Sequence, residues 1–575
     1  MAKLPCVNLL LVSLLFTLAS CLPSFFTLSS YAPIAASCPG TPLVRSAEGL
    51  CYGEELYRAG RRRVSERAFR LFINRLNKGL PKNETFGYNC TPVIALASGG
   101  GKLRSLLSGA GVVQALDARD LSNGVNDLKG LYQAILYHAG VDGGAWLVSA
   151  LAGNDNKTAS ELYLNTWSSS LPNADFLPVN TKKGEAYAKI ALDLAAKELN
   201  GFQSTLVDSW GGLLSFHLFS NTPRAIATLS GLIKGPMLST FETPYPIITA
   251  LGSNLNIDQR GCDMINNKSL QYEFHPYETG TWEAGHRIFT KTEFLGTPLS
   301  NGVPLADELC MRKFDNLGFI LAISSGAFFR FCSRVPGTNL LTGDWGQMEN
   351  ELIGLTNVLH TPSLYDEYGI VPNPFYQLKL APGLAPKKRL HLVDGAAGGE
   401  NVPLWPLIQP ERHLDVVIVN DNSADTRDGY PDGTSLYNTW VRAQESGLNT
   451  MPAIPIPATM DLIGLNRRPT FFGCYDDSVI TIIYLPNRQH VFPSNISSFK
   501  LTYSQKDVTN MIANGNMVAT NGRDKNWPYC LACGLLLRVN DGELPLGCGA
   551  CLRKYCWPTD GPGKHPMQYS ERWGV

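Results

Sequence analysis

Three glycine-bearing segments carry side chains able to do group-transfer chemistry. In Ala139-Gly140-Val141-Asp142-Gly143-Gly144-Ala145-Trp146 an aspartate stands between glycines, where a Gly-x-Ser-x-Gly hydrolase puts its nucleophile on a sharp strand-to-helix turn. In Ala97-Ser98-Gly99-Gly100-Gly101, backbone N–H groups at a helix start can face a developing oxyanion. In Leu392-Val393-Asp394-Gly395 a carboxylate closes an apolar run, where it can act as a base. Oxyanion donors, a nucleophile position and a base are the parts of an acyl-transfer site. Asp142 is the residue out of keeping with it.

Holding those residues in place requires strands that stop at them and helices that start beyond. The apolar run Ala134–Tyr137 leads into the Asp142 turn like a buried strand, and Ala145–Leu151 leads out like a buried helix. Pro92–Ala97 runs into the first glycine segment, and Leu103–Leu116 follows it with helical character. Tyr245–Leu251, Leu390–Val393 and Leu414–Asn420 read as further buried parallel strands. Ala47–Leu76 reads as a helix, and the Pro- and Gly-bearing stretch Thr338–Lys387 as loops or insertions. The pattern predicts an α/β fold with a central mixed, mostly parallel sheet flanked by helices, its site at the strand ends.

A chain of 575 residues, 44% hydrophobic, can build one very large domain or two to four ordinary ones. Acidic and basic residues balance at 49 each, which removes any whole-chain argument for nucleic acid or an anionic membrane as partner. Arg61-Arg62-Arg63 then reads as a solvated helix face. Lys3 and the short apolar run Asn8–Ala19 read as a secretory signal ending near Cys21. Five sequons, at Asn83, Asn89, Asn156, Asn267 and Asn495, fit export. From the polar and aromatic end Tyr569–Val575 no glycolipid anchor is expected. The expected product is secreted, with no transmembrane span in the mature chain.

Fourteen cysteines, two of them (Cys6 and Cys21) in the leader, leave an even twelve, which fits disulfides in an oxidising compartment. Cys530-x-x-Cys533 and Cys548-x-x-Cys551 could also space a zinc site, but export favours bridges. The fifth cysteine of that end, Cys556, then needs a partner elsewhere, such as Cys474 or Cys332. The expected organisation is a signal over 1–21, one large domain over 38–560 with a cysteine-rich end at 530–556, and a tail over 561–575.

With these segments in this order, the sequence resembles the secreted fungal phospholipase B, or lysophospholipase, family, which shares its catalytic fold with cytosolic phospholipases. The likeness begins at Tyr31-Ala32-Pro33, Cys38 and Leu43–Leu50 and is loose around Asn373-Pro374-Phe375. It is strong at Pro406–Arg412 and Asn422–Thr426, and ends in Trp527–Cys533 and Tyr555-Cys556-Trp557. The resemblance implies deacylation of phospholipids and lysophospholipids by a Ser–Asp dyad with no metal and no cofactor. It implies that Asp394 is the base, that Gly99 and Gly100 hold the oxyanion, and that Arg104 faces the substrate phosphate. It puts Asp142 where the family has its nucleophilic serine. Other departures fall nearby: Ala145 for a small polar residue, an extra residue at Lys102-Leu103 before Arg104, and Ala396 after Asp394-Gly395.

An aspartate attacking an acyl ester would give a mixed anhydride, higher in energy than the ester consumed. If the dyad geometry persists, Asp142 and Asp394 are two adjacent carboxylates expected to share a proton. Such a pair could activate water. Attack on saturated carbon instead would need a histidine, for which His138 is the neighbour in sequence but reads as structural. Three functions follow: an acylhydrolase, a silent relative that binds lipid or another partner, or a secreted glycoprotein without a lipid role.

Overall fold

The computed structural model describes residues 31–557 apart from 89, 123–125, 155–156, 173–176, 178–180, 220–227, 256–264, 307, 327–366 and 540–543. The expected signal and tail, the sequons at Asn89 and Asn156, and Cys332 lie outside the described residues. Asn83 and Asn495 are exposed and Asn267 is half-buried.

Among the described residues, twelve strands form one sheet. They are β1 (Val44–Ser46), β2 (Ile94–Ser98), β3 (Ile135–Gly140), β4 (Tyr245–Ser253), β5 (Gln271–Phe274), β6 (Glu278–Thr281), β7 (Ile288–Lys291), β8 (Gly369–Pro372), β9 (Arg389–Asp394), β10 (Val416–Asp421), β11 (Thr470–Phe472) and β12 (Thr481–Pro486). The order is β11-β12-β10-β2-β3-β4-β5-β6-β7-β1, with β9 also paired to β4 and β8 to β9. From β12 to β4 the neighbours are parallel. Their residues are buried on both faces with few exceptions, the continuous apolar runs expected of strands covered by helices on either side.

The helices that matter to the site are α1 (Tyr52–Asn77), α2 (Leu103–Leu116), α3 (Gly143–Gly153), α4 (Leu206–Leu218), α5 (Leu317–Ser325), α6 (Gln505–Ala519), α7 (Trp527–Leu536) and α8 (Cys548–Tyr555). Every residue of α2 is buried, and α6 crosses it so closely that a Cβ on Gly111 would lie 2.0 Å from the Ile512 carbonyl. One dominant apolar cluster runs from Tyr57 to Cys556. Among the described residues no helix is long and apolar enough to cross a membrane.

Three sequence expectations are corrected. Leu390–Val393 does form a strand, β9, but it runs antiparallel to both its neighbours, β4 and β8. Within the stretch expected to be loop, Gly369–Pro372 is that neighbour, β8. Arg61 is fully buried rather than solvated. Its guanidinium donates to the carbonyls of Ile135, Gln133 and Phe241, so the cation is held by backbone acceptors instead of facing water.

At the cysteine-rich end the bridges form: Cys530–Cys551 and Cys533–Cys548 staple α7 to α8, and Cys556 pairs with Cys474. Cys38–Cys310 ties the N-terminal segment down. Among the described residues Cys51 and Cys90 are free thiols.

Candidate active site

The antiparallel course of β9 assembles the site. Strand β4 pairs in parallel with β3 up to Ile248–Gly140, and then, two residues on, with β9 at Ala250–Asp394. Strands β3 and β9 therefore meet with their C-terminal ends facing along one side of β4. The Asp142 turn and Asp394 are brought together by a single strand they share.

Asp142 caps α3 with φ 52° and ψ −123°, a region costly for a residue with a Cβ and typical of strained functional turns. Lys102, capping α2 after β2, has nearly the same conformation, φ 53° and ψ −129°. The two turns touch. A Cβ on Gly143 would lie 1.9 Å from the Lys102 carbonyl, and one on Gly144 would lie 2.1 Å from that of Ser98. The glycines after Asp142 are there because the neighbouring turn's backbone fills the space a side chain would need.

This packing puts a cation between the two carboxylates. Lys102 Nζ donates to Asp142 Oδ1 at 2.9 Å, to Asp394 Oδ2 at 3.3 Å and to the Ser325 carbonyl at 2.9 Å. All three ammonium protons are satisfied, the last by the carbonyl end of α5, where a helix favours positive charge. Lys102, Asp142 and Asp394 are 3%, 4% and 1% exposed, so the contacts form out of water. The second oxygen of Asp142, Oδ2, accepts from the N–H groups of Gly101 and Lys102 at 2.9 and 3.1 Å. Asp394 Oδ1 accepts from the Ala396 N–H at 2.9 Å.

Burial raises the Asp142 carboxyl above its ordinary range; the Lys102 charge opposes that rise and Asp394 adds to it. The shared proton expected between two adjacent aspartates is replaced here by an ammonium touching both. The turn is braced from below by α5. Ser324 Oγ accepts from the Asp142 N–H at 3.1 Å and donates to the Thr249 carbonyl. The indole N–H groups of Trp146 and Trp210 both donate to Ser325 Oγ.

The other expected site residues lie close by in different employment. The Gly99 N–H donates to the Asn420 carbonyl and that of Gly100 to the Asn401 carbonyl, both at 2.9 Å. The donors aimed at the elbow side chain are thus Gly101 and Lys102, one step further along the turn. Arg104 is 2% exposed, and its guanidinium donates to the carbonyls of Asn422 (2.7 Å) and Ile496 (3.0 Å). It braces two loops, and burial lowers its pKa. His138 is buried on β3 against Ser98 Oγ and the Tyr132 hydroxyl, with its pKa pushed down to about 3 by burial.

Lys102 is the site residue that sequence reasoning named only as part of the altered loop Lys102-Leu103, without a role. The signal was present: the extra residue of the first turn is basic where the second turn carries an unexpected acid. Ser324 and Ser325 had no signal at all, because they reach the site only through the packing of α5.

Comparisons with known proteins agree with this architecture. Residues 94–561 match the lysophospholipase catalytic domain. Lysophospholipase 1 of Saccharomyces cerevisiae is 35% identical over 92% of this chain and 84% of its own length. A lysophospholipase of Penicillium chrysogenum is 34% identical over 94% of this chain and 92% of its own. Among solved structures, human GIVD cytosolic phospholipase A2 superposes with a TM-score of 0.64 at 17% identity, covering 88% of this chain and 72% of that one. The fold is that of the cytosolic phospholipases, and the chain belongs to the lysophospholipase family.

Proposed function

We propose that this chain is a secreted, glycosylated lysophospholipase-family protein directed at lysophospholipid or phospholipid, in which acyl-ester hydrolysis is held near background. Family membership supports the lipid, and the leader-like N-terminus and sequons support export. One observation carries the loss of turnover: the Lys102 ammonium bridges Asp142 and Asp394 while Asp142 Oδ2 occupies the N–H groups of Gly101 and Lys102.

Each part that acyl transfer needs is committed elsewhere. The residue at the nucleophile position is a carboxylate whose attack would give an anhydride. The base is already engaged by the Lys102 ammonium instead of a nucleophile's hydroxyl. The N–H pair that could hold an oxyanion holds a side chain. Loss of a hydrolase nucleophile lowers turnover about a million-fold in a well-studied protease, and the salt-bridged base adds to that.

The test is fatty-acid release from lysophosphatidylcholine by the parent, Asp142→Ser, and Asp142→Ser combined with Lys102→Met. The parent is expected at background, the single variant low because Lys102 still engages Asp394, and the double variant higher than both. Vigorous release by the parent that vanishes in Asp394→Ala would overturn the proposal. Co-sedimentation of the parent with lysophosphatidylcholine-bearing vesicles separates the lipid-binding reading from that of a glycoprotein with no lipid role, which predicts no binding.

A further inference from the structure

The contact between Lys102 and Asp142 has the parts of a condensation site. A primary amine lies 2.9 Å from one carboxyl oxygen, Oδ1. The other oxygen, Oδ2, is held by two backbone N–H groups, the arrangement that stabilises an oxyanion when a nucleophile adds to the carbon between them. A second carboxylate, Asp394, touches the amine nitrogen at 3.3 Å and can carry its protons. All three side chains are almost wholly withdrawn from water. Lys102 and Asp142 project from turns fixed at both ends by strand and helix, and Asp394 ends β9, so reacting atoms are held together before any reaction begins.

From this geometry we infer that Lys102 and Asp142 become joined by an intramolecular amide bond between Nζ and Cγ, with Asp394 as the proton carrier. One proton passes from the ammonium to Asp142 Oδ1, giving a neutral amine and a neutral acid. The nitrogen lone pair adds to Cγ, and the carbonyl electron pair moves onto Oδ2, facing the N–H groups of Gly101 and Lys102. Asp394 takes the next proton from the nitrogen and returns it to Oδ1, which leaves as water with the C–O bonding pair while Oδ2 regains its double bond. One ammonium and one carboxylate become one amide and one water. Nothing is oxidised or reduced, and Asp394 ends as it began.

The driving force is local. Condensation of a free amine and carboxylate is unfavourable in bulk water, but well-oriented intramolecular partners reach effective concentrations of about 10⁵–10⁸ M. The product also removes the Lys102 and Asp142 charges from an interior where each is costly to keep, and leaves Asp394 as the remaining charge, still accepting from the Ala396 N–H. Burial raises the Asp142 carboxyl toward the protonated form the amine must meet.

This inference rests on the same triad as the functional reading, but mass reads it and turnover does not. The secreted protein is reduced, freed of N-glycans and digested with trypsin. Cleavage after Lys102 is expected to fail. The peptides bearing Lys102 and Asp142 (the latter Gly130–Lys157) should appear as one branched species, lighter than their sum by one water. Lys102→Arg should give linear peptides, and so should Asp394→Asn, which keeps the shape of the carrier without its basicity. A parent digest containing the linear peptide ending at Lys102 and no branched species overturns the bond, whether or not either variant folds. An Asp394→Asn chain bridged as fully as the parent overturns the role given to Asp394. A bridged chain that hydrolyses lysophospholipid vigorously would sink the functional reading and leave the bond standing; an unbridged silent chain would do the reverse.

Discussion

Replacing Lys102 by methionine tests the electrostatics of the site most directly. The substitution keeps a side chain of similar length at the same positive φ, so backbone strain is unchanged and only the ammonium is lost. At an effective dielectric of about 20, Coulomb's law gives about 6 kcal/mol for the 2.9 Å contact with Asp142 and about 5 kcal/mol for the 3.3 Å contact with Asp394. These are gross attractions, offset by the desolvation of the ammonium. Deleting one partner of a buried pair, and so leaving its charge unpaired, costs about 3–5 kcal/mol net. That is the loss expected for Lys102→Met at neutral pH, read as a lowered urea midpoint by tryptophan fluorescence. Trp146 and Trp210 both donate to Ser325, whose carbonyl holds Lys102, so the probe is local.

The pH dependence fixes the cause. Asp142 already titrates above its ordinary range, and Lys102 is the influence that opposes the rise. Without Lys102 the native carboxyl moves further up. A group whose native pKa is raised contributes stability that is present below its unfolded pKa and lost as pH rises through the native one. The deficit of Lys102→Met must therefore shrink as pH falls toward the unfolded aspartate value of about 3.9. If the triad is an ion pair alone, the Asp142 share of the deficit approaches zero there. If the amide bond has formed, a remainder that does not titrate persists, because the bridge spans 40 residues and the loop-closure relation for a covalent bridge of that span gives about 4 kcal/mol. A variant as stable as the parent at neutral pH would refute the buried-pair reasoning in both forms.

Two further outcomes are expected away from the triad. Gly515→Ala puts a Cβ 2.0 Å from the Ser108 carbonyl where α6 crosses α2, so it should lower stability by about 1–3 kcal/mol or more. Gly184→Ala, with open space around it, should not, and equal urea midpoints for the two variants would contradict the backbone-to-backbone packing. Acid should unfold the protein steeply. His138, His217 and His275 are pushed by burial from 6.5 to about 3, so the stability they contribute is present above 6.5 and lost as pH falls. Down to about pH 4 they are partly countered by Asp315 and Asp425, raised by burial to about 6 and about 8. Below that range Asp315 and Asp425 are protonated in both states, the three rings leave the native state up to three protons short, and they lower stability by up to about 4 kcal/mol per pH unit. A denaturant midpoint that stays flat from about pH 4 to about pH 3 would show that the three rings are not buried in neutral form.

How much of this was legible in the sequence follows from how far each feature depends on distant residues. Strands β2, β3, β4 and β10 could be read because each is an apolar run ended by its own polar or glycine-bearing segment. The direction of β9 could not, since an apolar run looks the same in either sense. Yet that direction is what turns Asp394 toward Asp142. Buried ions were equally hidden. Arg61 looked like part of an exposed basic run, and Arg412 like one residue of a family motif. The structure buries Arg412 with bidentate contacts to Glu273 and two more to Glu54, partners that lie 139 and 358 residues away. In each case a charge is tolerated inside only because carbonyls or carboxylates from remote segments surround it.

The same rule explains the site. An aspartate set into a turn already crowded by another turn's backbone cannot stay ionised beside Asp394 without a cation within reach. The neighbouring turn has the same backbone conformation and lies in contact with it, so a basic side chain at its cap arrives at the height of the Asp142 carboxylate. Lys102 and Asp142 are in that sense one change written in two places. An assay that reverts only one of them tests an unbalanced charge, while reverting both tests the fold's capacity for the chemistry its family name implies.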